Sequence, residues 1–242
     1  MSKSFLLVGG SSDIALHLAE RLMSDGHHVT LLARDVSRTQ ALADAGAHVL
    51  EGDALTEERV QAAVDHADGL GEGLAGLAHL VGSIALRPPH ATKLDDFEAV
   101  IRTNLTSAFL SLKLAGKAML KHGRGRLVFT SSVAGQYGLT NHEAIAAAKG
   151  GLEAMVRSAA STYAQRGLRV NAVAPGLTET RLGASVLRSE AIREASVGMI
   201  PLKRINQPEE IAQSMHWLLT DAPDNLTGHV LPLDGGMSSL RG

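Results

Sequence analysis

The feature that most constrains this sequence is the regular alternation of short apolar runs with longer amphipathic segments along the whole chain. The first apolar run, Phe5–Val8, is followed by a segment with helical periodicity that begins near Ile14. Short runs rich in Val and Leu are typical of strands buried on both faces, and such strands form parallel sheets. Successive parallel strands need crossover helices, which cover both faces of the sheet. The pattern therefore predicts an α/β fold with a doubly wound parallel sheet and helices on both faces.

The sequence also gives approximate bounds for each element. The predicted strands are Phe5–Val8, His28–Ala33, His48–Glu51, Leu77–Val81, Arg126–Phe129, Arg169–Val173 and His229–Leu233. The predicted helices are Ile14–Ser24, Glu57–His66, Asp95–Lys121, His142–Gln165 and Pro208–Leu219. One long irregular stretch, residues 177–200, is predicted to be a substrate loop or lid. No repeat or Gly/Ser linker divides the chain, so residues 1–242 are expected to form a single Rossmann-type domain.

The composition excludes several classes of function. The 242 residues contain no cysteine, which rules out disulfides and thiolate metal sites, and we expect no metal. A net charge of -2 argues against a nucleic-acid binder that relies on a basic surface. No apolar stretch is long enough to span a bilayer, and the first residues show no signal peptide. A cytoplasmic protein that acts on a small molecule, without membrane or nucleic-acid partners, is therefore expected.

A glycine-containing loop follows the first predicted strand and opens the first predicted helix. It reads Gly9-Gly10-Ser11-Ser12-Asp13-Ile14-Ala15. Glycines permit tight turns here, and the free amides of a helix N-terminus attract the pyrophosphate of a dinucleotide. Asp13 is unusual because its carboxylate lies near the expected phosphate, although it can also cap the helix. We interpret the segment as a dinucleotide-binding loop in which Asp13 also caps, with cofactor contacts from Gly9, Ser11, Ser12, Asp13 and Ile14.

Two further segments, together with this loop, carry a resemblance to a known family. Ser131-Ser132-Val133-Ala134-Gly135 is followed by Ile145-Ala146-Ala147-Ala148-Lys149. They resemble the catalytic segment of the short-chain dehydrogenase/reductase family, in which a serine is followed by Tyr-x-x-x-Lys. The resemblance covers essentially the whole chain and implies a nicotinamide-dependent oxidoreductase. The catalytic tyrosine is missing, because Ile145 stands in its place and cannot transfer a proton.

The resemblance also implies roles for the catalytic residues that are retained. Ser132 would hydrogen-bond the substrate carbonyl, and Ser131 is the alternative if the alignment shifts by one residue. Lys149 would hold the hydroxyls of the nicotinamide ribose. Asn104 would anchor a water that links the lysine to solvent. A polar residue of this kind inside a helix is otherwise unfavourable, which favours a specific role for Asn104.

A histidine is the candidate replacement for the missing tyrosine. In the enoyl-acyl-carrier-protein reductase branch of the same family, the tyrosine stands seven residues before the lysine, and here that residue is His142. His142, Ile145 and Lys149 recur at helical spacing and so project from one face. Because a free imidazole titrates at about pH 6.5, we predict that His142 donates the proton. The alternative is that His142 is only a polar residue at the start of a helix. Tyr137 lies in a loop of unpredictable direction, and Tyr163 lies too far along the helix.

The end of the second predicted strand bears on the choice of cofactor. Arg34, next to its tip, would hold the 2′-phosphate of NADP(H), whereas Asp35 would favour NAD(H) if the alignment is off by two residues. NADP(H) is therefore favoured over NAD(H). The resemblance implies further cofactor contacts at Asp53, Ala54, Gly82, Pro175, Gly176 and Thr180.

Two functions from different classes follow from these observations. The first is an NADP(H)-dependent oxidoreductase that transfers hydride between the nicotinamide and a small carbonyl, hydroxyl or activated double-bond substrate. The second is a nucleotide-binding protein without redox turnover, acting as a sensor or partner subunit. It is favoured by Ile145, by Asp13, and by the loss of the family's Asn-Asn-Ala-Gly segment, whose amides brace the sheet. A lyase or isomerase on the same scaffold is a third possibility. Since family members assemble through their long helices, a homotetramer or homodimer is expected.

Overall fold

Within the residues that the computed structural model describes, 2–187 and 189–240, seven strands form one parallel sheet. The strands are β1 (Ser4–Val8), β2 (His28–Ala33), β3 (His48–Glu51), β4 (Leu74–His79), β5 (Gly125–Thr130), β6 (Leu168–Pro175) and β7 (Val230–Leu233). Their order in the sheet is β3-β2-β1-β4-β5-β6-β7, and every neighbouring pair is parallel. The predicted doubly wound parallel sheet is confirmed.

Helices connect the strands and cover the sheet. They are α1 (Asp13–Ser24), α2 (Gln40–Asp44), α3 (Glu57–Asp68), α4 (Leu94–Ile101), α5 (Ser107–His122), α6 (Glu143–Tyr163), α7 (Arg181–Ala184), α8 (Glu190–Gly198) and α9 (Pro208–Thr220). None of these helices is long and apolar enough to cross a bilayer, a statement that covers the described part of the chain.

The core lies in two layers, one on each face of the sheet. Side chains of β1 alternate between them, because successive residues of a strand point to opposite faces. Leu6 and Val8 pack with α3, α5 and α6, whereas Phe5 and Leu7 pack with α1 and α9. All four side chains are fully buried. Burial on both faces explains why the strands are continuous apolar runs in the sequence.

The predicted helix Asp95–Lys121 is wrong as a single element. Helix α4 ends at Ile101, a π-helical turn occupies Arg102–Thr106, and α5 follows. The Ser107 N–H bonds the carbonyl oxygen of Arg102, one residue farther back than in an α-helix. This turn lies within a continuous helical segment, because α4, the turn and α5 follow one another directly, and such turns frequently occur at functional sites. The apolar pattern therefore did not reveal the interruption.

The remaining predicted boundaries lie within two residues of the observed ones, apart from two stretches. The fourth strand was expected at Leu77–Val81 and is β4, Leu74–His79, because the chain leaves the sheet after His79 to line a cleft. The stretch expected to be irregular, residues 177–200, contains the two short helices α7 and α8. Its role as a lid stays a prediction.

The order of the strands fixes where a ligand can bind. The chain runs outward from β1 to β2 and β3, then returns to place β4 on the other side of β1. Where the winding reverses, the loops after β1 and β4 diverge and leave a crevice at the carboxyl end of the sheet.

Candidate active site

A cavity of about 370 Å³ opens at this crevice. All four residues predicted for catalysis line it: Asn104, Ser132, His142 and Lys149. The predicted cofactor contacts that line it are Ser12, Asp13, Ile14, Gly82, Lys149, Pro175, Gly176 and Thr180. The others, which lie outside its lining, are Gly9, Ser11, Arg34, Asp53 and Ala54. The fold thus brings together residues that are far apart in the chain.

Lys149 places a cation at the floor of the cavity. It extends from α6, is only 5% exposed, and its Nζ donates a hydrogen bond to the carbonyl oxygen of Thr130 at 2.7 Å. Burial lowers the pKa of Lys149 to about 8, so its ammonium is still mostly protonated at neutral pH. An ammonium has three N–H donors, and Thr130 is its one acceptor among the described residues. Two donors remain for a ligand.

Asn104 holds the wall of the cavity next to Lys149. Its amide nitrogen donates to the Ser83 hydroxyl at 3.0 Å and to the Val100 carbonyl at 3.0 Å, and its Oδ1 accepts from the Ser83 N–H at 3.2 Å. The π turn allows this fully buried side chain to reach the Ser83 loop. Both amide hydrogens are taken by the protein. An expected water would therefore bind an oxygen of Asn104.

Gly82 leaves open the space between these two residues. A Cβ at this position would lie 3.2 Å from Oδ1 of Asn104 and 3.8 Å from Nζ of Lys149. Any side chain would fill the path by which a ligand reaches the ammonium. The need to keep this path open explains why a small residue stands at position 82.

The two neighbouring serines are used differently. Ser131 is buried, and its hydroxyl donates to Oε1 of Glu153 at 2.7 Å, while Gln136 donates to the other carboxylate oxygen at 2.6 Å. Ser132 is half-buried, and its Oγ accepts only from the Ala134 N–H, at 3.2 Å, among the described residues. The hydroxyl hydrogen of Ser132 is therefore available to a ligand, whereas that of Ser131 is not.

Ile145 and His142 also line the cavity, at the start of α6. Ile145 is 4% exposed and packs in an apolar cluster with Val100, Ala134 and Ala148. His142 is half-buried and precedes the first residue of α6, and its Nδ1 lies 2.7 Å from the Thr140 carbonyl oxygen. A carbonyl only accepts hydrogen bonds, so Nδ1 carries a proton. In the neutral ring Nε2 then has none, and donation from Nε2 requires the imidazolium.

Sequence reasoning missed a buried histidine behind this site. His79, at the end of β4, is fully buried between Ser107 and Ser111 of α5, at 3.1 Å from Nε2 and 3.0 Å from Nδ1. The Ser107 hydroxyl donates to the Thr103 carbonyl oxygen, so it accepts from Nε2–H, and Nδ1 accepts from Ser111. The ring is neutral: burial, then repulsion from Lys149, lowers its pKa to about 3.

His79 therefore braces the sheet against α5 in the region where two amides were expected to be lost. Its Nε2–H bond also supports the π turn, through the Ser107 hydroxyl that bonds Thr103. The signal in the sequence was the pair Ser107 and Ser111, whose spacing of one helical turn puts both hydroxyls on the same face. Glu153, also missed, lies one turn beyond Lys149 on the buried face of α6.

The glycine loop has the expected backbone but a different cap. Gly9 has φ of +87°, and a Cβ there would lie 2.9 Å from the main-chain carbon of Leu80, so the position needs glycine. The expectation that Asp13 caps α1 is wrong. Ser12 is the N-cap and its Oγ accepts from the Ala15 N–H at 3.2 Å. Asp13 is the first helical residue, and its carboxylate turns away to other partners.

Those partners are two arginines. Oδ1 of Asp13 accepts from Arg38 Nη2 at 2.6 Å, and Oδ2 accepts from the main-chain N–H of Arg181 at 2.8 Å. Burial alone would raise the pKa of Asp13, but these hydrogen bonds outweigh it and hold the pKa below its usual range. The carboxylate is ionised and locally neutralised. Arg38 was not among the residues expected from the sequence.

The predicted adenosine contacts lie at the outer edge of the sheet. Arg34 is exposed and lies 3.8 Å from the Asp53 carboxylate, which also accepts from the Leu55 N–H at 2.8 Å. Ala54 is buried in the core behind β3. The Asp35 carboxylate accepts hydrogen bonds from the N–H and the hydroxyl of Ser37, and these bonds lower the pKa of Asp35. Asp35 is therefore already engaged in its own turn.

After β6 the chain crosses the top of the cavity. Gly176 packs against Asp234, where a Cβ would lie 3.0 Å from the Cα of that residue. Thr180 caps α7 by accepting from the Gly183 N–H at 3.0 Å. Leu182, Val186 and Met199 then present apolar side chains to the cavity. Within the described residues, no group of three or more His, Asp or Glu side chains is placed to hold a metal ion.

The chain is similar to known proteins along nearly its whole length. A family model described as enoyl-(acyl carrier protein) reductase matches residues 9–238. The chain is 33% identical over 237 residues to the 3-oxoacyl-[acyl-carrier-protein] reductase MabA of Mycobacterium tuberculosis, covering 98% of this chain and 93% of that protein. It is 31% identical over 230 residues to "Inactive 2-(S)-hydroxypropyl-CoM dehydrogenase 2" of Xanthobacter autotrophicus, covering 92% of this chain and all of that protein.

A solved structure shares the whole fold. A protein described as a candidate NAD(P)-dependent gluconate 5-dehydrogenase from Beutenbergia cavernae, solved with NADP at low occupancy, superposes with a TM-score of 0.89. The two sequences are 28% identical, and the match covers 98% of this chain and 97% of that chain.

Proposed function

The chain belongs to the short-chain dehydrogenase/reductase family, and from that premise we propose that it is an NADP(H)-dependent oxidoreductase. It passes hydride between the nicotinamide and a small, uncharged carbonyl, hydroxyl or activated double-bond substrate. The observation that carries this proposal is Lys149, a buried cation with two free donors at the floor of the cleft. Burying an ammonium away from water destabilises the folded protein. A ligand that hydrogen-bonds this ammonium gives a physical reason for its burial.

The residues of the cleft fit a dinucleotide. Gly9 allows close approach of the backbone to the phosphates, Gly82 opens the path to Lys149, and the ammonium can bond ribose hydroxyls. A bound nicotinamide supplies or accepts the hydride. NADP(H) is preferred over NAD(H) in this proposal, because Arg34 is exposed at the β2 tip and Asp35 is engaged with Ser37.

The chain's own residues then handle the substrate oxygen and its proton. Ser132 donates its free hydroxyl hydrogen to the oxygen and orients it. His142, as the imidazolium, releases a proton from Nε2 while Nδ1 stays bonded to Thr140. Proton transfer of this kind contributes roughly 10²–10⁴-fold.

The lining of the cavity indicates the substrate class. The ionisable residues among its described lining are Asp13, His142, Lys149 and Arg181. Lys149 lies at the floor, and Asp13 and Arg181 are paired at the glycine loop. His142 is therefore the one ionisable residue of this lining that remains for the part of the cavity where the substrate would bind. The remaining wall there is apolar, with Ile84, Leu139, Val186, Met199 and Met237. An uncharged, largely apolar ketone, diketone, quinone or enone suits such a wall.

The test is consumption of NADPH by the purified protein with quinones, diketones and enones. We expect turnover with at least one of them, a roughly 10²-fold or larger loss in His142→Ala, and a loss in Lys149→Ala. Glu143→Ala, an exposed neighbour on α6, is the matched control for His142→Ala. Turnover that survives in His142→Ala would remove the histidine from the mechanism. A lyase or isomerase would convert substrate without net cofactor oxidation.

A second candidate is favoured by one observation. Ile145 is packed in an apolar cluster where the family carries its acid, and one relative is itself named inactive. In this case the chain binds the nucleotide without turnover, as a sensor or partner subunit. Ile145→Tyr distinguishes the two: an enzyme limited by proton supply gains turnover, whereas a binding protein with no competent substrate site does not.

We also propose a homodimer or homotetramer. Leu94 on α4 and Phe109 on α5 are 69% and 52% exposed, and this is the helical face expected to carry subunit contacts. Light scattering gives the mass directly. Phe109→Glu should shift the assembly toward the monomer.

A further inference from the structure

Asp13, Arg38 and Arg181 form a cluster that the proposed chemistry does not use. Besides its bonds to Asp13, Arg38 donates through Nη1 to the Ser11 carbonyl oxygen at 2.5 Å, and Arg181 reaches the same oxygen through Nη2 at 3.5 Å. One carboxylate and one carbonyl of the glycine loop thus accept hydrogen bonds from two distant parts of the chain: the segment after β2 and the start of the segment 177–200.

The position of the carboxylate makes this cluster unusual. Asp13 is the first residue of α1, lines the cavity, and is one-fifth exposed. The start of a helix is where free N–H groups and the helix dipole favour negative charge. The phosphates of the proposed cofactor need the same place and the same kind of donor. Two anions cannot share one guanidinium without mutual repulsion.

We propose that Asp13 is an internal anion that takes the place of a cofactor phosphate at Arg38 and ties the segment beginning at Arg181 to the glycine loop. Dinucleotide binding therefore requires that the Asp13–Arg38 bond be given up. This inference rests on the proposed function, since it concerns NADP(H) binding in the same cleft. It assigns two roles: Arg38 is a phosphate-binding residue, and Asp13 is a competitor that lowers cofactor affinity.

The arrangement also couples the cofactor to the segment 177–200. The same carboxylate that holds Arg38 accepts the Arg181 N–H, so a change at one partner alters the other. Glu179 and Arg193, a second acid–arginine pair in that segment, bond each other and do not contact the glycine loop. That pair provides a matched control, because its acid carries the same charge without the same position.

The experiment is a fluorescence titration of the full-length protein with NADPH and, separately, NADH. Asp13→Asn keeps the shape of the side chain and removes its charge, and we expect it to lower the Kd for NADPH by about 5- to 10-fold. Glu179→Gln should change this Kd by less than about 2-fold, because Glu179 is exposed and its partner is Arg193. Arg38→Ala should raise the Kd by about 10-fold or more, because Arg38 is largely buried and its bond to a phosphate is charge-assisted.

The double variant completes the test. If Asp13 acts by occupying Arg38, then Asp13→Asn made in the Arg38→Ala protein should tighten NADPH binding by less than about 2-fold. Binding by the single variant that is no tighter than in Glu179→Gln would overturn the inference while leaving cofactor binding intact. If neither the unmodified protein nor Asp13→Asn binds NADPH or NADH, the proposed function fails together with it. Binding that appears only in Asp13→Asn would support the competition directly.

A second measurement tests whether Asp13 holds the segment that begins at Arg181 against the glycine loop. Without cofactor, Asp13→Asn weakens the attachment of the segment at Arg181, so trypsin should cut at Arg181 and Arg193 faster than in the unmodified protein. Glu179→Gln frees Arg193 only. Unchanged cleavage at Arg181 in Asp13→Asn would contradict the proposed tie, even if the Kd changes as expected.

Discussion

At the floor of the cleft, the buried residues Asn104 and Lys149 each have a hydrogen-bond partner within the protein, and Glu153 and His79 behind them have two each. At its mouth, by contrast, Leu182 and Met199 are 42% and 57% exposed and apolar. The floor is built from groups that are expensive to bury and that hydrogen-bond within the protein, and two N–H donors of Lys149 are left for a ligand. The mouth is built from groups that can be exchanged at little cost.

This difference separates the two halves of the proposed reaction. A floor of paired polar groups holds one geometry, which suits an invariant cofactor. The wall that carries Ile145 and His142 has an apolar residue in the place of the family's acid, and its histidine is held by one main-chain bond. We therefore expect substitutions at the floor to change stability and pH dependence, and substitutions at the mouth to change turnover more than stability.

The largest expected effect comes from His79 and appears on acidification. Its pKa is about 3 in the folded protein and 6.5 in the unfolded chain, so below pH 6.5 the unfolded state binds the extra proton. The free energy of unfolding should then fall by roughly 4 kcal/mol as the pH goes from 6.5 to about 3. Urea unfolding at a series of pH values measures this slope.

His79→Asn is the variant that isolates the titration. An amide can still donate to one serine and accept from the other, but it does not bind a proton in this range. The acid slope should become shallower by most of the predicted amount. Equal slopes in the two proteins would show that other groups cause the acid sensitivity.

Lys149→Met should stabilise the protein while it abolishes turnover. The folded pKa of about 8 lies below the unfolded value of 10.5, so the charged form is penalised below pH 8 and the penalty disappears as the pH rises to 10.5. Removing the charge should raise the free energy of unfolding at pH 7 by about 2 kcal/mol, after allowance for the lost bond to Thr130. Thermal unfolding at pH 7 and at pH 10.5 should give a gain that vanishes at the higher pH. If Lys149→Met were less stable than the unmodified protein at both pH values, the conclusion that the buried Lys149 ammonium destabilises the fold would be wrong.

The adjacent serines provide a matched pair across the boundary between floor and mouth. Ser131→Ala removes a buried donor from Glu153 and should cost about 1–3 kcal/mol of stability. Ser132→Ala removes only the cap of a short turn, costing about 1 kcal/mol or less, but should lower kcat. Chemical unfolding and steady-state kinetics on both variants check the contrast. A larger loss of turnover in Ser131→Ala would exchange the two assignments.

The sequence predicted those features of the fold and site that depend on residues close together in the chain. The alternation of apolar runs predicted the parallel sheet, and the glycine loop after β1 predicted where the crevice lies. These signals depend on periodicity and on φ at one residue, Gly9, both of which are local. The cap of α1 was assigned wrongly because Ser12 and Asp13 are both good capping residues and stand side by side.

The features that were missed depend on contacts across the fold. His79 meets Ser107 and Ser111 only after β4 and α5 pack together, and the π turn beside them lies within a continuous helical segment. Arg38 and Arg181 meet at Asp13 from widely separated positions. No pattern along one stretch of chain contains such pairings, although a charged residue inside the glycine loop was a sign that cationic partners were needed.

The smallest expected effect comes from Arg34. It tests whether the burial of a residue, rather than its position on the cofactor side of the cleft, determines how strongly its substitution changes stability and binding. Arg34 lies on the cofactor side but is exposed, and its ion pair with Asp53 is long at 3.8 Å. Solvent and salt screen such a pair, so Arg34→Ala should change the free energy of unfolding by less than about 0.5 kcal/mol. If Arg34 contacts the 2′-phosphate, the Kd for NADPH should rise only about 2- to 5-fold, and the Kd for NADH should not change, because one exposed charge-assisted contact contributes about 0.5–1 kcal/mol. Titrations with both nucleotides, with Arg21→Ala on the exposed face of α1 as the control, measure this difference. A loss of NADPH affinity as large as that expected for Arg38→Ala would mean that an exposed cation can dominate recognition, and the distinction between floor and mouth would then describe stability but not binding.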